Sequence, residues 1–210
     1  MGEELWERIV KLNYIDKYFR EAEEIIEKID RRQVGKVISL LREVRGKKGR
    51  IFFLGVGGGA ANASHAVNDL RKICGIEAYA PMDNVAELTA RVNDDGWETV
   101  FVNWLAQSRL NGNDGIFVFS VGGGNLEKNI SANLVRAVEY AKKMKAKILG
   151  VVGRDGGFTA LKADACVVIP SVNPKTVTPH TESFQAVIWH LLVSHPGMMK
   201  REMKWESIKP

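Results

Sequence analysis

Ile51-Phe52-Phe53-Leu54-Gly55-Val56-Gly57-Gly58-Gly59 is a short apolar run that ends in a glycine loop, and Ile116-Phe117-Val118-Phe119-Ser120-Val121-Gly122-Gly123-Gly124 repeats the arrangement. Each run has the length and the β-branched and aromatic content of a buried strand. Each loop is followed by a helical pattern, Ala60 to Cys74 in the first case and Leu126 to Met144 in the second. A helix start exposes unpaired N–H groups and the positive end of its dipole, and glycine lets backbone amides approach an anion closely. Two such loops facing one crevice make a site for a negatively charged group, phosphate foremost. One Gly-loop alone reads equally well as a tight turn that reverses the chain; the repetition favours the anion site.

Working outward, further strands are predicted at about 77–80, 147–152 and 165–169. Helices are predicted at about 96–105, 157–162 and 178–194, with a helical turn at Asp83 to Leu88. Continuously apolar strands that alternate with helices imply a parallel sheet covered on both faces and joined by right-handed crossovers. In such α/β sheets ligands bind beyond the carboxyl ends of the strands. Both VGGG loops lie at that edge, as does a third turn, Gly153-Arg154-Asp155-Gly156-Gly157.

Ahead of the sheet, Trp6, Ile9, Val10, Tyr14, Ile15, Tyr18, Phe19, Ala22, Ile25, Ile26 and Ile29 recur at helical spacing, and a second helix carries Val34, Val37, Ile38, Leu40, Leu41 and Val44. A helix this apolar that bridges no pair of strands is expected either at a subunit interface or docked on its own domain. The division expected is a helical oligomerisation segment at 1–48, the α/β domain at 49–198 and a tail at 199–210.

The 210 residues suffice for one good core, and no apolar run reaches the ~18 residues that a membrane helix needs. The N-terminus has no signal-peptide character, so the expected location is the cytoplasm. A net charge of +5 raises nucleic acid as a partner, but the basic residues between Arg31 and Arg50 lack interleaved aromatics and read as a solvated helix face. Cys74 and Cys166 have no metal-type spacing and are expected as thiols.

Gly55, Gly57 and Ala60 also satisfy the dinucleotide fingerprint G-x-G-x-x-A, with Asp83 as the ribose acid. This reading is the weaker one, because Pro81 and Met82 separate Asp83 from its strand and the fingerprint leaves the second loop unexplained. His65 and Asp69, four apart on one helix, share a face, and the final helix adds Glu182 and His190, preceded by His180. Two imidazoles and two carboxylates suit zinc or another first-row divalent metal. Eight residues of helix rise ~12 Å, so Glu182 and His190 reach one ion only from an irregular helix start or across subunits; His180 is the substitute.

The pattern Leu54-Gly55-Val56-Gly57-Gly58-Gly59, His65-x-x-x-Asp69-Leu70, Asn93-Asp94-x-Gly96, Ser120-x-Gly122-Gly123, and Glu182 with His190 resembles the sugar isomerase (SIS) domain proteins of the phosphoheptose isomerase type. The resemblance spans nearly the whole chain. It implies a flavodoxin-like three-layer sandwich on a five-stranded parallel sheet and a homotetramer with active sites between subunits. The implied reaction converts sedoheptulose 7-phosphate into a heptose 7-phosphate. It further implies zinc at His65, Asp69, Glu182 and His190, with Asp69, Glu182 and His190 as acid–base groups; two of these positions hold glutamate and glutamine in the family. Substrate contacts are expected from Gly57, Gly58, Gly59 and Asn62 of the first unit, from Asn93 and Asp94, and from Ser120, Gly122, Gly123, Gly124 and Asn125 of the second. The phosphate loops depart most: Gly59, Val121, Gly122 and Asn125 stand where the family has hydroxyl residues. The function expected is therefore a phosphosugar aldose–ketose isomerase. The alternative is a non-catalytic SIS-type sugar-phosphate sensor or adaptor.

Overall fold

The computed structural model describes residues 2–208, and side chains from residue 13 onward apart from residue 205. The side chains of Trp6, Ile9 and Val10 lie outside the described residues. Five strands, β1 Arg50–Gly55, β2 Glu77–Tyr79, β3 Gly115–Ser120, β4 Lys147–Val152 and β5 Ala165–Val168, form one parallel sheet in the order β2-β1-β3-β4-β5. All five fall within one residue of the predicted ends; four carry short apolar runs bounded by turn residues, and the edge strand β2 is set by Gly75 before it and Pro81 after it.

Both faces of the sheet are apolar. Phe53, Phe117, Phe119, Leu149 and Val151 share a core with α2 (Arg31–Gly46), α3 (Gly58–Asp69) and α8 (Val177–Ser194). On the other face Phe52, Leu54, Ile116, Val118 and Ile148 pack against α5 (Val100–Gln107) and α6 (Ala132–Lys143). The result is the three-layer α/β sandwich that the alternation of elements implies. β1 pairs with β2 on one edge and β3 on the other, so the chain reverses direction across the sheet at β1/β3, where ligands of such folds bind. The two Gly-loops leave those two strands.

Three local readings are corrected. Helix α6 starts at Ala132, not Leu126. The side-chain oxygen of Asn125 accepts from Lys128 N (2.8 Å), the backbones of Asn125 and Ile130 pair in both directions (2.9 and 3.0 Å), and Asn129 and Ser131 take left-handed backbone, each with φ 51°. Residues 125–131 are therefore a clasped loop, and Ser131 is the N-cap. The predicted helix from Gly96 is shifted, because α4 (Val85–Asp95) runs up to Gly96, whose φ of +84° stops it, and α5 starts at Val100. The helix after the first loop ends its α-helical part at Asp69 and continues as one π-helical turn, Leu70–Cys74. Helix α7 (Gly157–Lys162) matches its prediction, and a short α9 (Lys204–Ser207) lies in the tail. Cys74 and Cys166 are buried free thiols, which burial pushes up to about 11 and about 12.

Helix α1 (Gly2–Lys28) has two characters. Ile25 is fully buried on its own domain, and the carboxylate of Glu21 accepts from Asn173 Nδ2 (2.6 Å), Thr176 Oγ1 (2.7 Å) and His180 Nε2 (2.9 Å). The Tyr18 ring stacks on His180 at 4.2 Å between centroids. His180 is thereby committed to α1 and is no substitute metal ligand. Tyr14, Ile15, Phe19 and Ile26 remain exposed, Phe19 by 64%.

Burial raises the Glu21 carboxyl pKa, but the hydrogen bonds from Thr176, Asn173 and His180 outweigh it, and the net value lies below the ordinary 4.5. A carboxyl lowered in the folded state adds stability above its unfolded pKa and loses it as pH falls through the folded one. Glu21→Ala, which leaves buried donors unpaired, is expected to cost about 1–3 kcal/mol in urea unfolding at pH 7. Glu21→Gln is expected to lose less stability than wild type between pH 5 and about pH 3. Equal acid sensitivity of the two would remove Glu21 from this account.

Candidate active site at the carboxyl edge

Helices α3 and α8 lie side by side, and their contacts ascend in step. The Glu182 carboxylate stands against Gly58, where any side chain would displace it. One turn on, Asn62 Nδ2 donates to Glu182 O (3.0 Å) and Gln185 Oε1 (3.0 Å), and buried Gln185 in turn donates to Val151 O (3.3 Å) on β4. Further along, His65 meets Trp189 and His190, with ring centroids 4.5 and 5.5 Å away. Asn62 is thus a strut between helices rather than a wall of the cavity described next.

That cavity, about 390 Å³, lies between the loops after β1 and β3 and the turn after β4. Val56, Gly59, Ser120, Val121, Gly122, Gly124, Asn125, Ser131, Gly157 and Glu182 line it, together with Lys128, Arg154 and Asp155. Among the described residues, the N–H groups of Gly122 and Gly124 donate to no group of the chain. That of Gly123 donates to Ser120 Oγ (3.0 Å), which leaves the Ser120 hydroxyl proton free for a ligand. The start of α6 at Ser131 adds its dipole to the same wall. An anion fits here by backbone donors, the hydroxyls of Ser120 and Ser131 and nearby cations.

The glycines of this rim have packing duties as well. Gly123 (φ +68°) lies so close to the carbonyl of Gly156 that a Cβ would collide with it, and a Cβ at Gly157 would stand 2.5 Å from Gly124 O. The first turn of α7 donates to the second loop, Phe158 N to Gly124 O (2.8 Å) and Thr159 N to Gly123 O (2.9 Å), and the Thr159 hydroxyl also donates to Gly123 O (2.8 Å). Gly59 approaches β3: a Cβ there would stand 2.5 Å from Phe119 O, so a serine at this position requires the loop to move.

Of the four predicted metal ligands, three gather. One ligand atom from each of His65, Asp69 and His190 lies within 4.8 Å of the others. Glu182 does not join them, since it sits within the regular part of α8 and the helical rise carries it to the opposite end of the groove, beside Gly58. His190 Nδ1 donates to Ala186 O (2.8 Å), which fixes the tautomer and leaves Nε2 as the free lone pair. Two imidazoles and one carboxylate with an open position are the donor set of a catalytic zinc site. Asn93 and Asp94 are exposed on the last turn of α4, bonded to each other (2.8 Å), and do not line the cavity. Asp83 accepts from Ser64 Oγ (2.6 Å) in a 3-10 turn, away from the Gly57 turn that a ribose would adjoin.

No family model matches the chain. It is 33% identical over 148 residues to the lincomycin biosynthesis protein LmbN of Streptomyces lincolnensis, covering 67% of this chain and 54% of that one, so it spans about half the length of that relative. The phosphoheptose isomerase of Helicobacter pylori is 30% identical over 190 residues, covering 86% of this chain and 92% of that protein. The chain belongs to the phosphoheptose isomerase family. The solved phosphoheptose isomerase GmhA of Neisseria gonorrhoeae superposes with a TM-score of 0.73 at 26% identity, over 90% of this chain and 96% of that one. A phosphoheptose isomerase from Francisella tularensis shares the fold with a TM-score of 0.74 at 22% identity, over 87% and 95%. Family membership makes this chain a phosphosugar isomerase of the aldose–ketose type.

Lys128, Ser131, Arg154 and Asp155 line the cavity without having been assigned to it from sequence. Ser131 carried a signal, a serine directly before a helical run. Gly122 offers a clean probe of the cavity in this isomerase: its φ is not positive, and a Cβ there would meet only Arg154 Cδ, at 3.8 Å. Gly122→Leu is expected to abolish phosphosugar turnover with the melting temperature within about 2 °C of wild type. Gly123→Ala is expected to lose about 2–4 kcal/mol of stability, from its left-handed backbone and the collision with Gly156. A Gly122→Leu protein with undiminished turnover and an unchanged KM would place the substrate elsewhere.

Proposed function

We propose that the substrate is a seven-carbon ketose phosphate, sedoheptulose 7-phosphate or a close relative, converted to the aldose phosphate, and that the protein acts as a cytoplasmic homotetramer. The observation that carries this reading is the order of groups along one groove: an anion-binding cavity, then Glu182, then His65, Asp69 and His190. From Gly58 to His65 the helix rises about 10 Å. An extended seven-carbon chain measures about 10 Å from C1 to a terminal phosphorus atom. A sugar phosphate seated with its phosphate at Ser120 and Gly122 therefore brings C1 and C2 toward the histidines.

The reaction transfers a proton from C1 to C2 through an enediol, while a hydroxyl proton passes from O1 to the former carbonyl oxygen O2. Glu182 is the carboxylate that lines the cavity on the first loop's side; Asp69 and His190 stand at the far end, and together these three are the proposed acid–base groups. Asn62 and Gln185 hold the α3–α8 spacing on which their separation depends. His65, Asp69 and His190 would hold a divalent ion, zinc by donor type; Glu182, about 12 Å along α8 from His190, would join them only from another subunit. Such an ion, when bound, polarises a carbonyl oxygen and stabilises charge that develops on it. Asn93 and Asp94, exposed on α4, are proposed to meet substrate from a neighbouring subunit's side of the groove.

The exposed stripe Tyr14, Ile15, Phe19 and Ile26 is the surface proposed for subunit pairing. Light scattering at micromolar concentration is expected to give four times the chain mass; a monomer would overturn the assembly. Turnover of C5 to C7 ketose phosphates is expected to be highest for C7. His65→Ala with His190→Ala is expected to remove bound metal, measured by elemental analysis, and to lower kcat/KM by about 10² to 10⁴, a loss of several kcal/mol. Metal-free wild-type protein with full, chelator-resistant activity would show these side chains to be acid–base or structural groups only.

A further inference from the structure

We propose that Lys128 and Arg154 grip the phosphoryl end of the substrate, supplying as side-chain cations what a hydroxyl-poor loop lacks; the proposal rests on the phosphosugar isomerase reading. Of the second loop's side chains only Ser120 brings a hydroxyl to the cavity, and Ser131 adds one at the start of α6. Two free N–H groups and two hydroxyls are a thin set of donors for a dianion, which gains most from charge-assisted bonds to Lys or Arg.

Both cations are delivered to the cavity by specific local structure. Arg154 stands in left-handed backbone (φ 52°) in a turn fixed by Gly153 N to Val121 O (3.1 Å) and Gly156 N to Gly153 O (2.9 Å). Its stem passes beside Gly122, with Cδ 3.8 Å from where a Cβ of that residue would be, and both residues line the cavity. Lys128 rides on the 125–131 loop, which the Asn125 side chain and the Asn125–Ile130 backbone pair hold in shape. This excursion is what postpones the start of α6, and it places the lysine on the cavity wall.

Among the described residues neither cation forms an ion pair, while other lysines and arginines do so with neighbouring carboxylates. Two carboxylates also line the cavity. Asp155 turns back to accept from Gly157 N (3.2 Å), and Glu182 stands against Gly58 at the first loop. The charges are thus sorted along the site, cations at the second loop and Glu182 at the first. A phosphate enters at the cationic end and the sugar lies toward Glu182, which sets the orientation of the substrate.

The test compares wild type with Lys128→Ala, Arg154→Gln, the double variant, Arg154→Lys and the control Lys142→Ala, which alters an exposed lysine in the last turn of α6. Each protein is measured for KM and kcat on the best C5 to C7 ketose phosphate, and for Kd of inorganic phosphate by calorimetry. Single variants are expected to raise KM and the phosphate Kd about 10-fold, and the double variant about 100-fold or more, with kcat within threefold. Arg154→Lys should recover part of the loss, and Lys142→Ala should change nothing. Unchanged KM and phosphate Kd in the double variant would overturn the proposal. Should Arg154→Gln lower the melting temperature, Lys128→Ala, on an exposed loop, decides alone. Loss of phosphate affinity in a protein that isomerises no sugar phosphate would instead sink the isomerase reading and leave the anion clamp standing.

Discussion

The contact of backbone on backbone between the loop after β3 and the turn after β4 is the constraint on which the site depends. Gly123 and Gly157 meet their neighbours' carbonyls without a side chain between them, and the first amides of α7 donate to the carbonyls of Gly123 and Gly124. Those carbonyls are thereby turned away from the cavity, and the N–H groups of Gly122 and Gly124 are left facing solvent or ligand. The loop is preformed, because its shape is set by hydrogen bonds to α7 and not by the ligand. Preformed donors lose little entropy when an anion arrives, which is what makes a nest of this kind effective.

This lock also shows why the glycines cannot be read as phosphate ligands by number alone. The sequence shows three in a row, but their tasks differ: Gly122 opens on the cavity, Gly123 packs on Gly156, and Gly124 is left-handed beside Val135. Substituting one tests binding and substituting the next tests folding. The same holds in the first loop, where Gly55 and Gly59 serve the approach of α3 to β1 and β3.

The sheet was legible because β1, β3, β4 and β5 carry continuous apolar runs with turn residues at their ends, as strands buried on both faces must, while the edge strand β2 buries only Ala78. The α3–α8 groove was legible in part. His65 and Asp69 share a helix face by spacing, and their meeting with His190 follows from the way two helices lie alongside each other, which no local pattern encodes. Glu182 separated from them for a reason already contained in the helical rise. Lys128, which was missed, and Arg154, which was placed at the ligand edge only as part of its turn, belong to the class that sequence reading handles worst. A long cationic side chain on a loop looks the same whether it points at solvent or at a cavity, and only the fold of 125–131 and of 153–157 decides. Asn93 and Asp94 were expected at the substrate through the resemblance alone, and no local pattern showed the helix that runs through both, capped by Asn84, which accepts from Glu87 N (3.2 Å).

Glu182 carries the remaining step. Its carboxylate stands where the first loop feeds into α3, so the positive end of that helix is already met by a negative charge of the chain itself. A second anion at the same place would face repulsion from a neighbour with no hydrogen-bonded cation to offset it. The start of α6, by contrast, has Ser131, two free amides and two unpaired cations around it. Although the sequence presents two equivalent strand–Gly-loop–helix units, the structure makes them unequal: the first meets the Glu182 carboxylate, and the second, among the described residues, keeps free amides and cations at the cavity. On the proposed substrate orientation a repeated motif serves two ends of one ligand, and the asymmetry comes from a single side chain of the last helix.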